Sequence, residues 1–138
     1  MELLRKAKEE LKAGYTCVLC SEKQTLTATA RGVSPVLAFL DSGKDLSAFY
    51  AADKVVGKAT AFLYVLLQVK AVYAPVMSRA ALGVLEKAGI PATYDTLTEA
   101  ILNHRQDGLC PMETATRDIA SPEEALAAIR ATLAKLRS

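Results

Sequence analysis

The stretch from Asp53 to Gln68, DKVVGKATAFLYVLLQ, constrains this chain more than any other. At helical spacing it is apolar on nearly every side, through Val55, Val56, Ala59, Ala61, Phe62, Leu63, Val65, Leu66 and Leu67. A helix of that kind belongs in a core rather than on a surface. At about 15 residues it is ~22 Å long, too short to span a bilayer. Asp53 reads as its N-cap, and only its first turn, with Asp53, Lys54 and Lys58, is polar. The expectation is a buried helix that points one charged end at a cavity.

The 138 residues suit one domain with a core of its own, followed by a helical C-terminal tail. Seventeen basic and fifteen acidic side chains leave a formal charge of +2, evenly spread, which argues against a nucleic-acid binder. The amphipathic start MELLRKAKEELK is no signal peptide, and no apolar run reaches spanning length, so a cytoplasmic protein with no membrane partner is expected. Three cysteines in such a chain are expected to be thiols.

Around the central helix the punctuation alternates. Leu3, Leu4, Ala7 and Leu11 form the stripe of a first helix that Gly14 stops. Thr16–Cys20 and Gln24–Ala30 read as a hairpin turned at Ser21, Glu22 and Lys23. Ser34-Pro35 opens a short helix that ends near Ser42-Gly43. Leu46–Ala52 reads as a third strand, Val69–Tyr73 as a fourth stopped by Pro75, and Ala92–Tyr94 as a fifth. Ser78 caps a helix that runs to Gly89. Thr96 and Glu99 have capping-box spacing, starting a helix through Ile101 and Leu102, with Asn103–Gly108 as a loop after it. Cys110-Pro111 and Ser121-Pro122-Glu123-Glu124 open two more helices, the second carrying Leu126, Ile129, Leu133 and Leu136. Strands alternating with helices lie parallel. The fold expected is therefore α/β: a mixed five-stranded sheet between helices in three α-β-α layers, with a site at the carboxyl ends of strands.

These residues resemble a known family. The element order is similar to the cytidine deaminase-like fold. The words DSGKDLSAFYAADKVVGKATAFL, PVMSRAA and GLCPMETA look like the small uncharacterised DUF1893 family, which is placed in that fold class without an established activity. The resemblance covers Gly32 to about Thr116. A zinc deaminase carries a histidine-x-glutamate word at one helix start and a proline-cysteine-x-x-cysteine word at the next. Here those positions read Asp53-Lys54-Val55-Val56-Gly57-Lys58 and Pro75-Val76-Met77-Ser78-Arg79. Neither contains a histidine or a cysteine, so the resemblance implies the fold without the zinc; neither a metal site nor a cofactor is expected.

The candidate site is the amino end of the central helix. Free N–H groups and the helix dipole favour an anion there. Lys54 and Lys58, four apart, would share a face and clamp a phosphate, and Gly57 removes a side chain where a ligand or backbone approaches. On a plainer reading Asp53 is a cap, the lysines are solvated and Gly57 aids packing. Ser78 is a cap at the next helix start, and Arg79 beside it suits a phosphate or carboxylate. The resemblance implies that this end faces a nucleoside pocket, so a nucleotide-like small molecule is the partner expected.

Cys110 offers a second kind of chemistry. A thiol at a helix N-terminus has a lowered pKa and is a candidate catalytic nucleophile, with His104 and Arg105 near in sequence and Glu113 opposing. Its bland reading is a buried inert thiol. Cys17 and Cys20, three apart on a strand, face opposite sides and suit neither a redox pair nor a metal clip. His104, the one histidine, reads as part of a polar loop. Tyr50 and Tyr73 near strand ends are candidates to stack on a base but more simply pack against neighbours; Lys70 and Arg31 read as solvated. The leading expectation is thus a zinc-less, deaminase-like binding protein. The alternatives are an enzyme using Cys110 on a nucleotide-derived substrate, and a structural or partner-binding domain with a vestigial pocket. Homo-oligomers fit the exposed faces of the terminal helices. The leading reading requires the amino end of the central helix to open onto a cavity.

Overall fold

In the computed structural model, which describes residues 2–30, 32–99, 101 and 110–137, a hairpin and a set of β–α crossovers share one sheet. Helix α1 (Glu2–Lys12) precedes the hairpin β1 (Cys17–Cys20) and β2 (Thr25–Ala28), and α2 (Ser34–Asp41) leads to β3 (Tyr50–Asp53) and β4 (Val55–Val56). The central helix α3 (Lys58–Leu67) is followed by β5 (Ala71–Ser78), α4 (Arg79–Lys87) and β6 (Ala92–Thr98). Two helices, α5 (Pro111–Thr116) and α6 (Pro122–Arg137), close the chain. The sheet is six-stranded and mixed, in the order β2-β1-β3-β5 with β4 and β6 also paired to β5. Strands β1–β2 and β1–β3 are antiparallel, whereas β3, β4 and β6 all run parallel to β5. Among the described residues no helix is long and apolar enough to cross a membrane.

Three expectations are corrected. The central helix begins at Lys58, not Asp53, because Val55 and Val56 are β-branched and pair with Val76 and Met77. The register of β3 and β4 against β5 is the same, Tyr50 opposite Ala71 and Val55 opposite Val76, so the two are one line interrupted at Lys54. That interruption adds the sixth strand to the five expected. Pro75 does not stop its strand: β5 runs through it to Ser78. It falls opposite the break, where Val76 rather than Pro75 donates to the Lys54 carbonyl at 3.4 Å, so its missing N–H disturbs a ladder already broken there. Finally, β6 continues to Thr98, which places Thr96 in a strand opposite Val76 and removes it as a helix cap.

A smaller shift affects β3, which starts at Tyr50 rather than Leu46. Asp45 accepts the backbone N–H of Ser47 at 3.0 Å and its hydroxyl at 2.7 Å, and that local turn competes with strand pairing. The expected loop 103–108, Leu102, Arg31, His104 and Arg105 lie outside the described residues.

Alternation along β1 divides the core. Cys17 and Leu19 join the large cluster with Leu63, Tyr64, Met77, Leu85 and Ile129, while Val18 and Cys20 join Leu4, Ala7 and Leu11 of α1 on the other face. The two cysteines of the C-x-x-C word therefore point to opposite sides of the sheet as free thiols. Helix α3 buries Ala59, Thr60, Ala61, Phe62, Leu63, Tyr64 and Leu67. Its C-cap, Gln68, takes a left-handed φ of 59° and returns its N–H to the Tyr64 and Val65 carbonyls. Burial of each large side chain here stabilises the fold by roughly 1.5–3 kcal/mol.

Candidate functional site

The carboxyl ends of β4 and β5 meet the amino ends of α3 and α4. Gly57 is the N-cap of α3, extended at φ −96° and ψ −178°, with no side chain to cap the turn. The cap comes from elsewhere in the chain. Glu113 of α5 places Oε1 2.7 Å from the Lys58 backbone nitrogen and accepts its N–H, and it accepts the Ile101 N–H as well. A Cβ on Gly57 would overlap Glu113 Oε1 and lie 3.1 Å from Ile101 Cγ1. The glycine is therefore cut to fit an internal carboxylate. Burial pushes the Glu113 carboxyl up, against the pull of the Lys58 N–H and ammonium and the Ile101 N–H. The same α5 segment is tied a second time, since Lys58 Nζ donates to the Arg117 carbonyl at 2.8 Å.

Asp53 is not a cap. It ends β3 with 7% of its surface exposed, and its Oδ2 accepts the Tyr64 hydroxyl at 2.8 Å. Cys17 Sγ lies 3.2 Å from the same hydroxyl. Tyr64 has one proton and gives it to Asp53, so the thiol donates to the tyrosine oxygen. Burial pushes the Asp53 carboxyl up to about 7, although the Tyr64 hydroxyl and the Val55 N–H pull the other way. Burial also raises the Tyr64 hydroxyl and the Cys17 thiol, each further raised by Asp53. The group is a sealed polar island under α3, with no opening to a substrate.

Lys54 and Lys58 do not share a helical face, because α3 begins at Lys58. Lys54 sits in the strand break, exposed, and its backbone N–H donates to the Thr16 carbonyl at 3.1 Å. Adjacent strand residues face opposite ways, which sends Lys54 outward as Asp53 turns inward. Ser78 caps α4 as expected, fully buried, accepting the Ala81 N–H at 3.1 Å. Arg79 is exposed, with Nε 2.5 Å from Glu99 Oε1, also exposed; such a pair contributes little to stability. Cys110 precedes the six-residue α5, half-buried against the core, and its side chain makes no cap bond. It lies one turn from Glu113, so its segment packs on α3. Its expected helpers His104 and Arg105 are outside the described residues. Tyr73 stacks on nothing near α3. Its hydroxyl donates to Asp95 at 2.6 Å and Lys8 lies 4.4 Å over its ring, on the α1 side, where Tyr50 also packs.

What lies open is beside the helix end. An open trough of about 460 Å³ is lined on the α3 side by Lys58, Val65 and the edge of Phe62, which is 3% exposed. Residues 80–88 of α4, with Gly83 and Lys87, form one bank, and residues 119–122 form the other. Lys58 Nζ stands 5.8 Å from the centre of the Phe62 ring. Among the described residues no group of three His, Cys, Asp or Glu side chains converges as metal ligands do. Sequence reading missed Glu113 as a cap, Tyr64 as the partner of Asp53, and the bank formed by Gly83 and Lys87. A tyrosine inside an otherwise greasy helix is a signal that a buried polar partner exists. A glycine inside a helix is likewise a signal.

The family model "Domain of unknown function (DUF1893)", TM1506, matches residues 6–133. Among solved structures, the crystal structure of a DUF1893 family protein (TM1506) from Thermotoga maritima is similar. Its TM-score is 0.85 at 27% sequence identity, over 97% of this chain and 90% of that one. No curated protein matches.

Proposed function

The chain belongs to the DUF1893 family, and from that premise we propose that it is a ligand-binding domain on a three-layer, cytidine deaminase-like plan, holding a nucleotide-like anion beside the first turn of α3. The observation that carries this reading is the position of Lys58. Its backbone N–H is capped by Glu113, while its ammonium lines the trough, donates to the neutral Arg117 carbonyl and stands within Coulombic reach of the Glu113 carboxylate, 5.8 Å from the centre of the Phe62 ring. An acid group at that ammonium with an apolar body against the half-buried Val65 and Val84 uses charge and apolar surface together. The seat moves from the helix end, which Glu113 closes, to the helix flank. Zinc does not fit this plan: α3 opens with Gly57-Lys58-Ala59 and α4 with Ser78-Arg79-Ala80, which supply no imidazole or thiolate. Cys110 carries no part of this reading.

The closure by Glu113 favours a second reading, in which the nucleotide seat is vestigial and filled by protein. Calorimetric titration with AMP separates the two. Saturable binding that is weakened in Lys58→Gln supports the ligand-binding domain. No binding of AMP, or binding indifferent to Lys58→Gln, favours the vestigial seat.

A further inference from the structure

The trough has a direction. Strands β4, β5 and β6 are parallel, so α3 and α4, which return the chain between them, run parallel to each other. Lys58 is the first residue of α3 and Lys87 the last of α4. The two ammonium groups therefore mark opposite ends of a trough whose α4 bank spans eight residues of rise, ~12 Å. Between them the apolar lining that is open is Val65, Gly83 and Val84, with Phe62 buried beneath at 3% exposure. The ion pairs among the described residues are Arg5–Glu2, Arg79–Glu99 and Arg130–Asp41, so neither lysine is in one, although the Lys58 ammonium stands within Coulombic reach of the Glu113 carboxylate. A second cavity, about 340 Å³ between α2 and α6, differs in this respect: its cation, Arg130, is already paired with Asp41.

Gly83 gives the second observation. It lies within α4, lines the trough, and a Cβ built on it meets nothing within 4 Å. A glycine inside a helix costs about 1 kcal/mol relative to alanine. No neighbour requires its absence of a side chain, in contrast to Gly57, and its φ is not in the left-handed region. The fold gives up helix stability here, and no described residue fills the space that a side chain would take.

We propose that this trough binds an elongated small molecule with an apolar or aromatic body and an acid group at each end, one at Lys58 and one at Lys87, its body lying against Gly83. The proposal deepens the reading given above only in placing an acid at Lys58; the second acid and the lengthwise body are independent of it. The bank at 119–122 makes the trough three-sided and of a volume suited to a metabolite.

The test uses the full chain and three probes: sebacate, a diacid of about the span of the trough, decanoate as the monoacid of the same length, and AMP. The expected result is that sebacate binds more tightly than decanoate by about threefold, the value of one exposed charge pair. Lys87→Gln erases that difference, and Gly83→Leu abolishes binding of both. Should Gly83→Leu fail to fold, Gly83→Ala serves, and it should weaken both acids while raising the melting temperature. Equal affinities for the two acids, or variants at Gly83 and Lys87 that bind like the parent, overturn the proposal. Binding of sebacate without AMP leaves the trough standing and removes the nucleotide reading. AMP binding that is unaffected at Gly83 does the reverse. A parent chain that sediments as a dimer and a Gly83→Leu chain that sediments as a monomer would assign the trough to a second copy and overturn the small-molecule proposal.

Discussion

The two flanks of α3 are built on opposite terms. On the inner flank every polar group has a protein partner: Asp53 meets Tyr64, Tyr64 meets Cys17, and the Lys58 N–H meets Glu113. The outer flank lines an open trough with the Lys58 and Lys87 side chains and the half-buried Val65 and Val84. A glycine marks each side. The Cβ that Gly57 lacks would collide with Glu113, whereas the Cβ that Gly83 lacks would touch nothing. The first absence serves packing; a Cβ at the second position meets no described residue. On the proposal above, the second glycine leaves room for a ligand.

The largest effect that tests the sealed flank is pH dependence. Asp53 has its folded pKa at about 7 against an ordinary 3.8. The stability it contributes is fully present below about pH 4 and is lost as the pH rises towards 7, because the unfolded chain ionises first. The gap corresponds to about 4 kcal/mol. Glu113, also raised, adds to the same trend. Denaturant melts of the parent should weaken across that window, and Asp53→Asn should flatten most of the slope. A parent curve flat from pH 4 to 7 would mean that the carboxyl is not sealed.

Next in size is Gly57→Ala, expected to cost about 2 kcal/mol, because the Glu113 carboxylate that a Cβ displaces gives up its bond to the Lys58 N–H. In a Glu113→Ala background the same change should cost less than about 1 kcal/mol, so a double-mutant cycle reads the contact directly. Additivity would show that Glu113 is not what the glycine accommodates. Tyr64→Phe should cost about 2 kcal/mol, because it strips the donor from Asp53 and the acceptor from Cys17. Chemical denaturation monitored by circular dichroism measures it, and a cost below a few tenths would place water in the island.

Much of this comparison was legible in the chain itself, in parts. The greasy run from Ala59 to Leu67, the cap at Ser78 and the hairpin at residues 16–30 follow from local pattern, and local pattern decided them. The boundary at Asp53 did not, because Val55 and Val56 satisfy a helical stripe and a strand equally well; only their pairing with Val76 and Met77 selects the strand. Pro75 misled for a related reason, since its harm to a strand depends on a ladder whose break at Lys54 is set by tertiary pairing. The role of Gly57 was half readable: something approaches it, but that the something is Glu113, 55 residues away from Lys58, is a long-range fact. The same holds for Asp53, whose partner Tyr64 is reached only once the helix starts later. The trough was not readable at all, because Lys58, Gly83 and residues 119–122 come together only through the parallel return of α3 and α4.

The smallest effect is the most direct test of the contrast: the melting temperature of Gly83→Ala with no ligand present, followed by its affinity for AMP and sebacate. The account predicts a gain of about 1 kcal/mol, a rise of about 3 °C, with both affinities reduced. A fall in melting temperature would mean that the chain itself needs the glycine, and an unchanged affinity would mean that nothing lies against it.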